Sequence, residues 1–427
     1  MKLTKDTQIL IGYLLNNNYS DLHNKCVEPI NNKKSTNKIL EVLYNDIFTA
    51  FKYISSLKKR PNLKITTIHN EQHIVKPKMF PSNSFPQEIR QHINENSMKE
   101  LKYQISLFGR DITIYFIVED INAEIHIERY NRYVETMLTW LYIINQYASS
   151  SCARSLTCYL YFTSLKKTKP VSNVDIIGWD HVNTAFTTTC PSKSEIIVYR
   201  YEEWFKSFIH ETFHNFALDF SDMNNDTCHN RIKELFNVNS EVNLFESYTE
   251  FWAEIINACY CSYFQIDNKE DINDFILSAE LFINMERTYS FIQLVKVLNF
   301  MGLNYKNLYS NKQEDIILRD TLYKEDTSVF SYYIIRFILL VNYQDFLAWC
   351  QKNNTSLLQF KKTIQNQNEF CKFIEKKYKT KILLDGIKRT EKFIKKLYKQ
   401  KENYTGINKE NHNFLLTNMR MSVCELC

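Results

Sequence analysis

Between Tyr201 and Phe220 the chain carries His210-Glu-Thr-Phe-His214, two histidines four residues apart with a glutamate beside the first. On a helix that spacing puts both imidazoles on one face. Two imidazoles one turn apart can grip a single Zn²⁺. Glu211 leans to the side where an attacking water would sit, which gives it the role of general base. At about 100° per residue, Trp204, Phe205, Phe208, Ile209, Phe213, Phe216 and Leu218 cover most of the circumference and predict a buried helix. The competing reading is a pair of hydrogen-bonded core histidines without metal.

A catalytic zinc needs a third protein ligand and an open position. Downstream, Glu246, Glu250 and Glu254 recur at i, i+4 and i+8 and share one helix face. Carboxylates in line repel one another unless a cation lies among them. The plainer alternative is a solvated acidic face, because Phe251, Trp252, Ile255 and Ile256 form an apolar stripe opposite.

His210-Glu-Thr-Phe-His214 followed by Glu246-Ser-Tyr-Thr-Glu250 resembles the zincin metallopeptidases, gluzincin branch. More narrowly, the run from Arg200 to His214, with Glu246-Ser-Tyr-Thr-Glu-Phe-Trp-Ala, is similar to metallopeptidases encoded by large DNA viruses. The resemblance covers roughly Asp111 to Cys261. It implies a peptide hydrolase with one Zn²⁺ per chain, held by His210, His214 and Glu246. Glu250 then hydrogen-bonds a ligating histidine and fixes its tautomer. Glu250 as ligand with Glu254 behind it is the alternative assignment. The metzincin continuation would need a glycine at 217 and a histidine or aspartate at 220; the chain has Ala217 and Phe220, with Asp219 one residue out of register.

The resemblance also implies an edge strand, ahead of the metal helix, that holds an extended peptide by backbone pairing. Val182 to Thr187 matches by order, with Asn183, Thr184 and Ala185 as substrate-binding candidates. A residue facing the developing oxyanion is implied on the C-terminal side. Tyr332 and Tyr333 are candidates, and His229 is a third.

These residues need elements to position them. Ile112 to Val118 reads as a buried strand with Ala123 to Glu128 as its pairing partner. A helix over Tyr130 to Tyr147 follows, then strands at Leu156 to Thr163, Val182 to Thr187 and Glu195 to Tyr199, with a turn at 191–194. The fold class is α+β: a zincin-like core of a small mixed sheet plus the motif helix, with helical N- and C-terminal regions. The expected organisation is a helical region and linker over 1–85, the core over 86–265, and a helical subdomain with a basic tail over 266–427. The linker is read from Lys58-Lys-Arg-Pro and Pro77, Pro81 and Pro86. Six glycines and seven prolines suit a helix-rich chain.

A net charge of +5 is too mild to demand a polyanion, so the expected partner is a peptide or protein substrate, not nucleic acid. Two rival functions stand beside peptide hydrolysis. One is a zincin fold kept as a binding or structural module, for example in a virion. The other is nucleic-acid binding through the Lys-rich segment 376–401. The eleven cysteines are scattered without a paired CxxC array, which suits free thiols in a reducing compartment. No secretory signal or membrane-length segment stands out; Val329 to Val341 is broken by Arg336. The expected location is the cytoplasm, or the virion for a viral protein.

Overall fold

A computed structural model describes residues 1–16, 33–58, 60–400 and 405–427. Lys59 of the linker stretch and the last residue of the basic segment 376–401 lie outside them. The fold is mixed α+β. Its sheet has the order β1-β2-β3-β4-β7-β6, where β1 is Asn62–Thr67, β2 Lys99–Leu107, β3 Arg110–Val118, β4 Ser155–Phe162, β6 Ala185–Thr187 and β7 Lys193–Val198. β3, β4 and β7 run parallel, while β1, β2 and β6 are antiparallel to their neighbours.

Period-2 alternation sorts the strand residues onto two faces. Ile112, Ile114 and Phe116 of β3, Leu156, Cys158 and Leu160 of β4, and Ile196 and Val198 of β7 enter the main core. Ile117, Tyr159, Tyr161 and Ile197 face a smaller core, closed by Ile89 and Ile93 of the helix Gln87–Asn96. On the main side the sheet supports the motif helix, Trp204–Asn215, and the crossover helix Ile127–Asn145. The acidic helix Leu244–Gln265 and the long helix Ile272–Phe300 pack beyond them.

Three expectations are corrected. Ala123 to Glu128 is not a strand: it forms a short 3₁₀ turn leading into the crossover helix, and β2 is the partner of β3 on that side. The stretch from Lys58 to Pro86, read as a linker, supplies β1, whose Asn62–Thr67 pairs with Lys99–Gln104. Pro61 precedes the strand and Pro77, Pro81 and Pro86 follow it, so none interrupts the ladder. The cysteines are not all free, because Cys152 and Cys190 form a disulfide. Parallel pairing puts Ser155 opposite Lys193, and each cysteine precedes its strand by the same three residues. That register brings their Cα atoms to 4.6 Å, within the range a disulfide can bridge. Among the described residues no helix is long and apolar enough to cross a membrane.

Candidate metal centre

Every residue of the motif helix is buried. Its axis is held by Trp204, Phe205, Phe208, Ile209 and Phe213 in the main core, and Trp140 Nε1 donates to Thr212 Oγ1 at 2.7 Å. His210 and His214 occupy the strip that faces a cavity of about 700 Å³. Their Nε2 atoms lie 3.1 Å apart. Glu246, in the first turn of the acidic helix, brings Oε2 to 3.1 Å from His210 Nε2 and 3.5 Å from His214 Nε2.

The opposite ring nitrogens are committed. His210 Nδ1 meets Glu250 Oε2 at 2.8 Å, and His214 Nδ1 meets Asp219 Oδ2 at 2.5 Å. Each ionised carboxylate accepts from Nδ1–H, which leaves the Nε2 lone pairs pointing at each other and at Glu246. Three lone-pair donors crowded together repel unless something positive, a proton or a metal ion, sits among them. A tetrahedral zinc with arms of 2.0–2.1 Å places its ligands about 3.3–3.4 Å apart; the three observed separations bracket that figure. Among the described residues, His210, His214 and Glu246 are the group whose donor atoms converge in this way.

Charge follows the same geometry. Burial works against a charged His210, but its bonds to Glu246 and Glu250 outweigh it and push the imidazole up to about 9. His214 moves the same way, with Asp219 and Glu246 overcoming burial. Burial also opposes ionisation of Glu246, yet the two histidines hold its carboxyl well below the usual range. Glu211 differs: burial dominates and pushes it up to about 7, although the histidines pull it down. Its carboxylate lines the cavity and makes no hydrogen bond or ion pair among the described residues, so it is free to exchange a proton.

Glu250 and Glu254 are buried and every carboxylate of the ladder is paired, which removes the solvated-face alternative. Glu246 faces both imidazoles, Glu250 takes His210 and Lys206 Nζ, and Glu254 lies 3.0 Å from Arg336 Nη1 with both side chains wholly buried. Glu254 is thereby drawn away from the centre, and the alternative assignment that paired it with Glu250 fails on geometry.

The remaining candidates divide. Tyr332 lines the cavity and donates from Oη to Glu246 Oε2 at 2.9 Å. It lies in a π-helical turn, Phe330–Ile335, a distortion frequent at functional sites. Burial first, then Glu246, raises its phenol, so it stays a donor. Tyr333 is corrected: it points elsewhere, donates to the Met419 carbonyl at 2.6 Å and is absent from the cavity wall. Asn183 and Ala185 line the cavity, with Phe186 and Thr187, whereas Thr184 is buried and off it. Because Tyr199 N–H donates to the Thr184 carbonyl, the backbone groups of Ala185 and Thr187 point to the other edge of β6. His229 lines the cavity with Nδ1 2.5 Å from the Glu241 carbonyl oxygen.

Sequence reasoning missed Asp219. Ala217 adopts φ 55°, and Leu218 N–H donates back to the Phe213 carbonyl, a C-terminal cap that turns the chain so Asp219 returns beside His214. Only the five-residue spacing from His214 could have signalled it. Replacing such a partner of a metal-binding histidine typically costs 10–100-fold in affinity. For a zinc held by His214, Asp219→Ala is therefore expected to weaken binding about 10–100-fold, measured by competition with a fluorescent chelator; unchanged affinity would remove Asp219 from the site.

The chain shares 24% identity over 192 residues with an uncharacterized protein of Acanthamoeba polyphaga mimivirus, covering 43% of this chain and 47% of that one. The chain thus spans about half the length of the curated relative it matches. No protein-family model and no solved structure matches.

Proposed function

We propose that the protein is a zinc-dependent metallopeptidase. The observation that carries this reading is the convergence of His210 Nε2, His214 Nε2 and Glu246 Oε2 at 3.1–3.5 Å beside the unengaged carboxylate of Glu211. When bound, zinc would act as a Lewis acid that polarises a scissile carbonyl and acidifies a water. Glu211, whose carboxylate faces the cavity, takes the water's proton and delivers it to the leaving amine. Tyr332 Oη, here donating to Glu246 Oε2, would turn that hydrogen to the oxygen on which charge develops. The open edge of β6, with Ala185 and Thr187, can pair with an extended peptide. Glu250 and Asp219 hold the imidazoles in the tautomer that directs Nε2 inward. The mimivirus relative fits the viral setting that the sequence resemblance suggests.

Elemental analysis of purified protein tests this. One zinc per chain is expected in the wild type, lost in Glu246→Ala and retained with weaker affinity in Glu250→Ala. Absence of zinc after reconstitution would end the proposal. The affinity must also depend on pH. Below the metal-free pKa of His210, about 9, zinc has to displace the imidazole proton. Apparent affinity is expected to fall about tenfold per pH unit, or more when His214 also carries a proton. A titration series from pH 8 to 6 reads that slope.

A further inference from the structure

The cavity has a built end. Ahead of β6 the chain forms β5, Ile177–Gly178, then a short helix, Trp179–Val182. β5 pairs in parallel with β8, Glu325–Asp326, which comes from the C-terminal half and leads into the turn bearing Tyr332. This two-stranded ribbon ties the β6 side of the cleft to the Tyr332 side. It is anchored rather than draped: Glu325 Oε2 accepts from Tyr323 Oη at 2.8 Å and from Phe330 N–H at 2.7 Å. Immediately after β8, Thr327 Oγ1 donates to Asn183 Oδ1 at 2.7 Å, so the ribbon touches the chain just where β6 is about to begin. Trp179, Asp326, Thr327 and Ser328 line the cavity at this end.

A peptide strand paired with the open edge of β6 therefore has one free direction. Towards Thr187 the edge continues to the β6–β7 turn; towards Asn183 it meets the ribbon. At about 3.3 Å per residue, the two steps from Ala185 back to Asn183 span roughly 7 Å. The cavity, about 700 Å³, has room for a few residues of a peptide beside the converging donors.

Resting on the metallopeptidase reading, we infer that the substrates are linear peptides cut close to a free end, because the β5–β8 ribbon stops the chain at Asn183. The hydrolysis itself is the ordinary one: the amide C–N bond breaks, water supplies hydroxyl to the acyl carbon and a proton to the amine, and no other reactant is needed. The ribbon decides which bonds of a chain can reach the centre.

The test uses the full-length zinc-loaded protein and one ten-residue sequence in four forms: free, N-acetylated, C-amidated and head-to-tail cyclised, with Glu211→Gln as the blank. Products are identified by mass. The expected result is cleavage of the free peptide at a fixed short distance from one end, with the cyclic form at least about 100-fold slower. The two singly blocked forms show which end is read, and either end satisfies the inference. Cleavage of the cyclic form at a comparable rate, or scattered cuts through the middle of the free form, overturns the one-ended cleft and leaves the metallopeptidase reading intact. No zinc-dependent cleavage of any form overturns both. As a second probe, Thr327→Ala removes the bond to Asn183 without touching a metal ligand. It is expected to lengthen the fragment released or speed the cyclic form, and an unchanged product pattern in an otherwise open-cleft enzyme counts against the ribbon.

Discussion

Glu211→Gln is expected to keep its zinc and lose peptide hydrolysis by about 100- to 10,000-fold, the range that a positioned general base contributes. The two halves of that result follow from one geometry. The three converging donors are His210 Nε2, His214 Nε2 and Glu246 Oε2, so a zinc held by them would not depend on Glu211. The glutamine has the same shape but cannot accept a proton. Steady-state rates on a short peptide, paired with zinc content, read both quantities. Retained activity with zinc bound would remove Glu211 from the reaction. Loss of zinc with activity would make it a structural neighbour of the ligands.

The same variant has a stability signature in the chelated protein. Burial raises the Glu211 carboxyl from 4.5 to about 7. Between those values the unfolded chain ionises while the folded one stays protonated. Glu211 thus withdraws stability as pH rises through this window, by roughly 3 kcal/mol in all, since one pKa unit is 1.36 kcal/mol. Glu211→Gln lacks that loss. Chelated wild type and variant should therefore unfold alike near pH 4.5 and diverge towards pH 7, with the variant the more stable.

What could be read from the sequence was what depends on short-range spacing. His210 and His214 share a helix face because helices turn at 3.6 residues, and the seven apolar positions around them already require burial. Glu246, Glu250 and Glu254 were legible as a ladder for the same reason. Their partners were not: Glu254 finds Arg336 82 residues away, and only the packing of the acidic helix against the segment after the π-helical turn joins them. Asp219 looked out of register because its position depends on a left-handed Ala217, a conformation no alanine advertises. β1 was hidden by the prolines that follow it, and Ala123 to Glu128 borrowed a strand-like alternation from a turn. Cys152 and Cys190 become neighbours only once β4 and β7 are known to be parallel and in step.

Lys206→Met should be the most damaging substitution that touches neither ligand nor base. Lys206 lies one turn before His210 and is almost wholly buried between Glu250 and Glu203, with Nζ bonded to Glu250 Oε1 and 3.8 Å from Glu203 Oε1. Glu203 is also shared: Lys167 Nζ reaches its Oε2 at 2.7 Å, and Ser422 N–H donates to its Oε1 at 2.7 Å. Burial opposes charge on Glu203, but Lys167, Lys206 and Arg420 hold its carboxyl down to about 2. The chain of contacts runs from the segment at 421–425 through Glu203, Lys206 and Glu250 to His210. Removing the lysine leaves two buried carboxylates short of a cation, a change that costs about 3–5 kcal/mol. It also frees Glu250 from the fork that aims it at His210 Nδ1, so zinc affinity should fall about 10–100-fold in protein that remains folded. Arg336→Met supplies the control. It breaks a buried pair on the same acidic helix, with Glu254, and should destabilise comparably, but lower zinc affinity less than Lys206→Met, because it reaches the site only through the Tyr332 carbonyl and its charge on Glu250. Thermal unfolding with and without zinc separates the two effects, and Lys206→Arg, which keeps the charge, should recover part of both. If the two methionine variants lost zinc equally, Lys206 would matter only as a brace of the core.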